Sequence, residues 1–356
     1  MMAQPDLPEQ ILFHIFSRLP AKSIGRFRSL SNTWNNLLST PHFIKSHLAL
    51  QNTRQKSLIL IPSSQVIRCV ETIRDEYIDT VSRELDLPGV WSEFVGSCDG
   101  LVLLIDNNHE VFLVNPITLE QSKIPDPPVA VKRTEGLYGF GYDSVRDDYK
   151  VIRVSYHTSN IEINPVYFDT LVYVYYVKMG VWKRIENSPR HFSFPVIFSG
   201  AFVNGAIHWL VARSDKSDCA VITALDLDSE VFYKIPAPRV ADVDNFLFSV
   251  LLVLGGCLCV VDTLSNSEGT DVWIMKDYGV AESWRKFTVS WYVFGDLFKP
   301  LCFIGDGEDE VVLLVEGPHL AVYNVKGGTF RDMVVDRVQG FFLDGGTFVE
   351  SLVSPA

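Results

Sequence analysis

FLVNPITLEQSKIP, residues 112–125, decides the fold. An apolar run (Phe112, Leu113, Val114) meets the turn-forming pair Asn115-Pro116, and the chain resumes with the basic Lys123 before the apolar Ile124. Short apolar runs on either side of such a turn read as paired antiparallel strands. The pattern returns as VYYVKMGVWKRIE (174–186), TALDLDSEVFYKIP (223–236), VWIMKDYGVAESWRKFTV (272–289) and AVYNVKGGTFRDMVV (321–335). With Ile124, Ile185, Ile235, Phe287 and Met333 taken as equivalent, the intervals are 61, 50, 52 and 46 residues. A weaker earlier copy, TVSRELDLP, reaches Leu87. A period near 50 residues with several short strands per unit is the signature of a propeller blade, and six copies predict a ring of about six blades.

A second element precedes some copies: CDGLVLL (98–104), VNGAIHWL (203–210) and GGCLCVV (255–261), each a tight turn feeding a buried strand. A strand within residues 341–353 is expected to close the ring on one at 58–61, which removes the open edges of the sheet. No stretch between strands has the sustained 3.6-residue period of a βαβ crossover, so a doubly wound parallel sheet is not expected.

Residues 1–50 read differently, as small helices. Asp6 is placed to cap a helix with Pro8 in its first turn, followed by a stripe of Ile11, Leu12, Ile15 and Leu19, and Pro20 stops it. AKSIGRFRSL puts Ile24, Phe27 and Leu30 on one helical face. A third helix starts at Ser31 with Trp34, Leu37 and Leu38 inward, and a fourth opens at Thr40-Pro41 and runs through Phe43, Ile44 and Leu48. Helices this short cannot bury so much apolar surface alone, so a partner or the rest of the chain must cover it.

Composition agrees with this division. The chain has 356 residues, 47% hydrophobic and 21% charged, which excludes a mainly disordered chain. Residues 1–50 carry five basic and two acidic side chains (+3), leaving 26 basic and 41 acidic (−15) for residues 51–356. An acidic large part argues against binding nucleic acid through its phosphates and is compatible with basic protein partners. Residues 191–212 lack Asp, Glu, Lys and Arg, but Pro195, Gly200, Asn204, Gly205 and His208 mark two short strands, and no membrane contact is expected. The N-terminus reads without the basic and apolar regions of a secretory signal, so a cytoplasmic or nuclear chain with its six cysteines reduced is expected.

The string LPEQILFHIFSRLPAKSIGRFRSLSNTWNNLLSTPHFIKSHL (7–48) resembles a plant F-box. GSCDGLV (96–102), YGFGYDSVRDDYKV (138–151), GAIHW (205–209), DVWIMKDYG (271–279), ESW (282–284) and VESLVSP (349–355) resemble the F-box-associated, kelch-like domain that follows it in that family. The fold class expected is thus mainly β with a small N-terminal α domain, an F-box at 1–50 and a kelch-like propeller at 51–356. The resemblance implies a non-catalytic substrate receptor of a Skp-cullin-F-box ubiquitin ligase, in which the helices dock on a Skp-type adaptor and the ring holds a protein target. Leu7, Pro8, Ile11, Leu12, Ile15, Leu19, Pro20, Ile24, Phe27, Leu30 and Trp34 are then expected to divide between the helical core and the adaptor interface, with Leu7 and Pro8 mainly interface. Gly25 and Asn32 depart from the family pattern, where a larger apolar residue and a lysine are usual. The segments 62–91, 155–170 and 239–245 are the expected target contacts.

Sharper chemistry finds little support. Gly96-Ser97-Cys98-Asp99-Gly100 has the spacing of a nucleophile elbow, but a strand follows where a helix is required. Gly139-Phe140-Gly141 lacks the third glycine and the helix of a dinucleotide fingerprint. Cys257 and Cys259 share a strand face without a nearby histidine, and His42 and His47 are poorly spaced for a shared metal, so neither a metal nor a cofactor is expected. A propeller glycoside hydrolase using carboxylates among Asp147, Asp148, Glu308, Asp309 and Glu310 stays as an alternative, as does an interaction scaffold outside a ligase.

Overall fold

A computed structural model describes residues 8–51, 57–70, 82–128, 136–157, 169–186, 199–212, 220–238, 250–262, 269–290, 298–305, 307–315, 319–335, 338 and 340–355. Four helices come first: α1 (Glu9–Phe16), α2 (Ala21–Arg28), α3 (Asn32–Leu38) and α4 (Pro41–Gln51). Their ends follow local chemistry. The Ser31 side chain accepts from the Trp34 amide at 3.2 Å and Thr40 Oγ1 accepts from the Phe43 amide at 3.2 Å, so both expected caps form. Pro8 differs from expectation: it is the N-cap of α1, with extended backbone, and the first turn begins at Glu9. Asp6 and Leu7 lie outside the described residues.

The strands form six four-stranded sheets. The first blade holds β1 (Ser57–Pro62), β2 (Arg68–Val70) and β3 (Ser82–Glu84), and the second β4 (Trp91–Cys98), β5 (Leu101–Asp106), β6 (Val111–Val114) and β7 (Gln121–Ile124). The third is β8 (Gly136–Asp143), β9 (Asp148–His157), β10 (Asp169–Tyr176) and β11 (Val181–Ile185), and the fourth β12 (Ala201–Val203), β13 (Ala206–Ala212), β14 (Ala220–Asp226) and β15 (Phe232–Ile235). The fifth is β16 (Val250–Leu254), β17 (Cys257–Asp262), β18 (Gly269–Met275) and β19 (Trp284–Ser290), and the sixth β20 (Phe298–Phe303), β21 (Glu310–Val315), β22 (His319–Asn324) and β23 (Thr329–Val334). The last strand, β24 (Phe342–Phe348), completes the first blade by pairing antiparallel with β1, Leu58 opposite Thr347 and Ile61 opposite Asp344. The closure expected from the sequence is therefore present: β24 is the inner strand of a blade whose other three strands come from the start of the ring.

Each sequence repeat is the third strand, turn and fourth strand of a blade. Ile124, Ile185, Ile235 and Met333 sit buried on these outer strands, where they seal the seam toward a neighbouring blade, and Phe287 is partly buried. The GFG stretch has a packing reason instead of a cofactor. A Cβ on Gly139 would lie 2.6 Å from Ile207 Cγ2, and one on Gly141 would lie 2.4 Å from Phe202 Cδ2, so glycine lets the fourth blade close on the third.

Candidate functional site

Antiparallel order within each blade puts the first-to-second and third-to-fourth turns on one face of the ring. The helices sit on that face. Leu352, just past β24, and Ile117, in the β6–β7 turn, pack into the helical core made by Phe16, Ala21, Ile24, Leu38 and Phe43. Phe16 meets Trp34 and Phe27 edge-on, with ring centroids 4.7 and 5.0 Å apart. Lys45 of α4 reaches Asp147 in the β8–β9 turn at 2.7 Å, and Asp147 also accepts from Tyr142 and Lys178. The Lys45 bond, then those of Tyr142 and Lys178, hold the Asp147 carboxyl well below the usual carboxylate range.

This packing sorts the helical residues. Ile24 is fully buried, and Leu12, Leu19, Phe27 and Trp34 are partly buried against the core, along with Phe13 and Ile44. Ile11 and Ile15, one turn apart on α1, stay 46% and 47% exposed, and Leu30 is 70% exposed. Pro8 and Pro20 are exposed as well. Two expectations need correction. Ile11 and Ile15 do not share the inward face of Leu12, because Phe13 and Phe16 take the core positions on α1. Leu30 does not line up with Ile24 and Phe27, because α2 ends at Arg28 and the following turn carries Leu30 outward.

At the centre of the ring is a channel of about 730 Å³, lined by residues of β4, β8, β12, β16, β20 and β24, their flanks and the end of β21. Its wall is mainly aliphatic and aromatic, with Glu93, Lys299 and Asp344 as the charged residues among those described. Asp344 accepts from Lys299 Nζ at 2.7 Å, from the Gly345 amide at 2.7 Å and from the Phe94 amide at 2.8 Å. Sequence reasoning missed this trio, because the three residues lie in different repeats and only ring closure brings them together.

The acidic residues considered for glycoside hydrolysis do not converge on the channel. Asp147 is engaged by Lys45, the Asp148 carboxylate accepts from the Lys178 amide at 3.0 Å, and Glu308, Asp309 and Glu310 pair with Lys276, Lys326 and Arg331. His47 is buried on the Leu19 carbonyl at 2.8 Å while His42 stacks on Phe13, so the two histidines serve packing. Cys257 and Cys259 face the same apolar cluster, and among the described residues no group of three metal-ligating side chains occurs. Asp99-Gly100 is a two-residue turn between β4 and β5, and burial pushes the Cys98 thiol far above its usual range, which leaves it a poor nucleophile. No described helix is long and apolar enough to cross a membrane. Of the expected target segments, residues 71–81, 158–168 and 239–245 lie outside the described residues.

Helices docked on a closed six-bladed ring match two family models in the same order: the F-box domain over residues 5–46 and the F-box associated beta propeller domain over residues 31–355. The chain belongs to the F-box proteins with an associated propeller. It is 31% identical over 302 residues to the F-box protein CPR1 of Arabidopsis thaliana, covering 80% of this chain and 73% of that one. An F-box/kelch-repeat protein of the same plant is 28% identical over 374 residues, with 100% of this chain and 97% of the relative covered. Among solved structures, a chain of a nidogen/laminin complex superposes with a TM-score of 0.50 at 10% identity, over 83% of this chain and 100% of that one, a likeness of fold alone. The family makes the protein a substrate adaptor, with the F-box as the element that meets Skp-type adaptors and the propeller as the associated domain. The family motifs now have physical roles. YGFGYDSVRDDYKV holds the seam between the third and fourth blades, the His208 of GAIHW bonds the Ala201 carbonyl and the Tyr278 hydroxyl across the next seam, and VESLVSP carries Leu352 into the F-box core.

Proposed function

We propose that this F-box protein is the target-binding, non-catalytic subunit of a Skp-cullin-F-box ubiquitin ligase, with residues 1–50 docking the adaptor and residues 51–356 holding the target for degradation. The observation that carries this reading is the split of apolar side chains on the helices. Their core is complete once Leu352 and Ile117 are included, yet Pro8, Ile11, Ile15, Pro20 and Leu30 stay in solvent. Exposed apolar residues beyond the needs of the core are the mark of a protein interface. Leu7 joins them from the family match, and Leu12, Leu19, Ile24, Phe27 and Trp34 shape the helices behind them. The subunit works in the cytoplasm or nucleus, away from membranes and nucleic acid.

Target recognition belongs to the face opposite the helices. Consecutive strand ends on the helix side are separated by two residues of sequence (99–100, 204–205, 255–256) to eleven (71–81), whereas those at the other face are separated by as many as 15 (186–200). Rigid strands with longer connections at one end are the usual way a scaffold presents a variable binding surface. A basic target suits the acidic ring, with long-range attraction raising the association rate. Co-purification of adaptor and cullin with the full chain, together with accumulation of a bound protein when degradation is blocked, tests this reading. Recovery of the chain without an adaptor under those conditions would contradict it.

A further inference from the structure

The channel has the size and lining of a ligand site. Its volume of about 730 Å³ lies within the roughly 300–1,000 Å³ typical of small-molecule pockets, and an apolar wall with a few convergent polar groups is their common form. Its charges are unequal in their needs. Asp344 is satisfied at both oxygens, by Lys299 and Gly345 on one and by the Phe94 amide on the other, so the aspartate and lysine neutralise each other. Lys299 is further committed, with its ammonium 5.5 Å from the centroid of the Phe94 ring. Glu93 is left over. It lines the same channel, and among the described residues no hydrogen bond or ion pair reaches its carboxylate. Burial, and then the charge of Asp344, raises its pKa, with His109 opposing them. Burial and a neighbouring carboxylate both disfavour the charged form of Glu93, and a bound cation would offset both.

Position fixes the geometry. Glu93 lies toward the Trp91 end of β4, and Lys299 and Asp344 toward the starts of β20 and β24, so the charged trio marks the channel end away from the helices. A ligand entering there would meet Glu93 beside the mouth and aliphatic wall beyond it, including Leu252 and Leu301. We infer that the channel binds a ligand with an apolar body and one cationic head, an amine or guanidinium, whose head pairs with Glu93. This rests on the propeller being the recognition domain. Two sources share that chemistry: a free small amine, and a lysine or arginine side chain that a target inserts from an apolar segment.

The test uses the full chain bound to its adaptor. Calorimetry compares 4-phenylbutylamine with its neutral counterpart 4-phenylbutanol. In parallel, immobilised pools of pentapeptides with apolar flanks carry arginine or the neutral citrulline at the centre. Preference for the amine, about tenfold or more, points to a free ligand, and the same preference confined to the arginine pool points to a target side chain. In either case Glu93→Gln, which keeps the shape of the side chain, is expected to abolish the preference while the apolar contribution stays. Equal binding of charged and neutral probes, binding of none of them, or a preference that survives E93Q would overturn the inference. Because the adaptor is present throughout and its retention is read separately, failure at the channel is distinguishable from failure of the ligase reading.

Discussion

Lys150 and Asp143 form an ion pair at 2.7 Å with both side chains entirely buried. The pair lies within the third blade, and the further bonds of Lys150 tie it to the fourth. Lys150 Nζ also donates to the Leu227 carbonyl at 2.5 Å and to Glu230 at 2.8 Å, and Glu230 accepts from Tyr176. On the other side, the Asp143 carboxylate takes the amides of Val145 and Arg146 and the Arg146 guanidinium. Removing one member of such a network strands the others in a dry environment. Lys150→Met is therefore expected to cost about 3–5 kcal/mol, more than the loss of the pair alone would explain. Denaturant unfolding of the single variants D143N and K150M and of the double variant measures it, with the double expected to cost less than the sum.

Burial alone would raise the Asp143 carboxyl, but the bonds from Lys150 and Arg146 outweigh it and hold its pKa at about 2. A folded value below the unfolded one means stability that is present above about pH 4 and is lost as pH falls toward 2. His208 adds loss at milder acidity. Burial lowers its pKa to about 4, against the bonds to the Ala201 and Ala206 backbone, so the folded protein keeps it neutral while the unfolded chain protonates near 6.5. Stability from this group is complete above about pH 6.5 and declines as pH falls from there toward 4, with about 2 kcal/mol gone by pH 5. Unfolding curves at pH 7 and pH 5 for the wild type and H208Q check the sign. The wild type is expected to lose more on acidification than the variant.

Leu352 joins the F-box to the ring. It is 3% exposed and packs with Phe16, Ile24 and Phe43, so Leu352→Ala is expected to cost about 2–5 kcal/mol of helix docking while the blades stay folded. Hydrogen exchange is the suitable measurement, with faster exchange in α1–α4 and unchanged protection in β5, β13 and β17. A ring fragment starting near residue 51 keeps its β-rich circular dichroism, since its closure strand is retained. It also uncovers Leu352 and Ile117, and L352S is expected to improve its solubility.

Gly25 lies inside α2 with nothing within 4 Å of where a Cβ would stand. Gly25→Ala is expected to raise stability by about 0.5–1 kcal/mol, since alanine restricts the unfolded chain and favours the helix. A rise in thermal midpoint with unchanged adaptor affinity is the expected result.

The ring was legible because its repeat is a local pattern: the turn at Asn115-Pro116 and the outer-strand Ile124 recur about every fifty residues, and apolar ends at 58–61 and 341–353 remained to be joined. The helical caps at Ser31 and Thr40 were legible for the same reason, since a cap is set by neighbours three residues away. What escaped was everything decided by docking. Ile11 and Phe13 have equal claims to the core until the ring supplies Leu352 and Ile117 on one side of α1. Glu93, Lys299 and Asp344 are unremarkable in their own repeats and gain meaning only because the ring closes. Glu308, Asp309 and Glu310 read as a bare acidic patch until Lys276 and Lys326, from other turns, and Arg331, from β23, pair with them.

The most direct measurement is calorimetric titration of the full chain with a Skp-type adaptor, comparing the wild type with the double variant Ile11→Asp and Ile15→Asp. Both positions are about half exposed and outside the helical core, so the variant is expected to fold, with unchanged circular dichroism. Its adaptor affinity is expected to fall by at least a hundredfold, equivalent to roughly 2.7 kcal/mol or more, as loss of clustered apolar anchors does. A folded variant that binds the adaptor as tightly as the wild type would show that these exposed residues are not the docking surface and would contradict the adaptor reading.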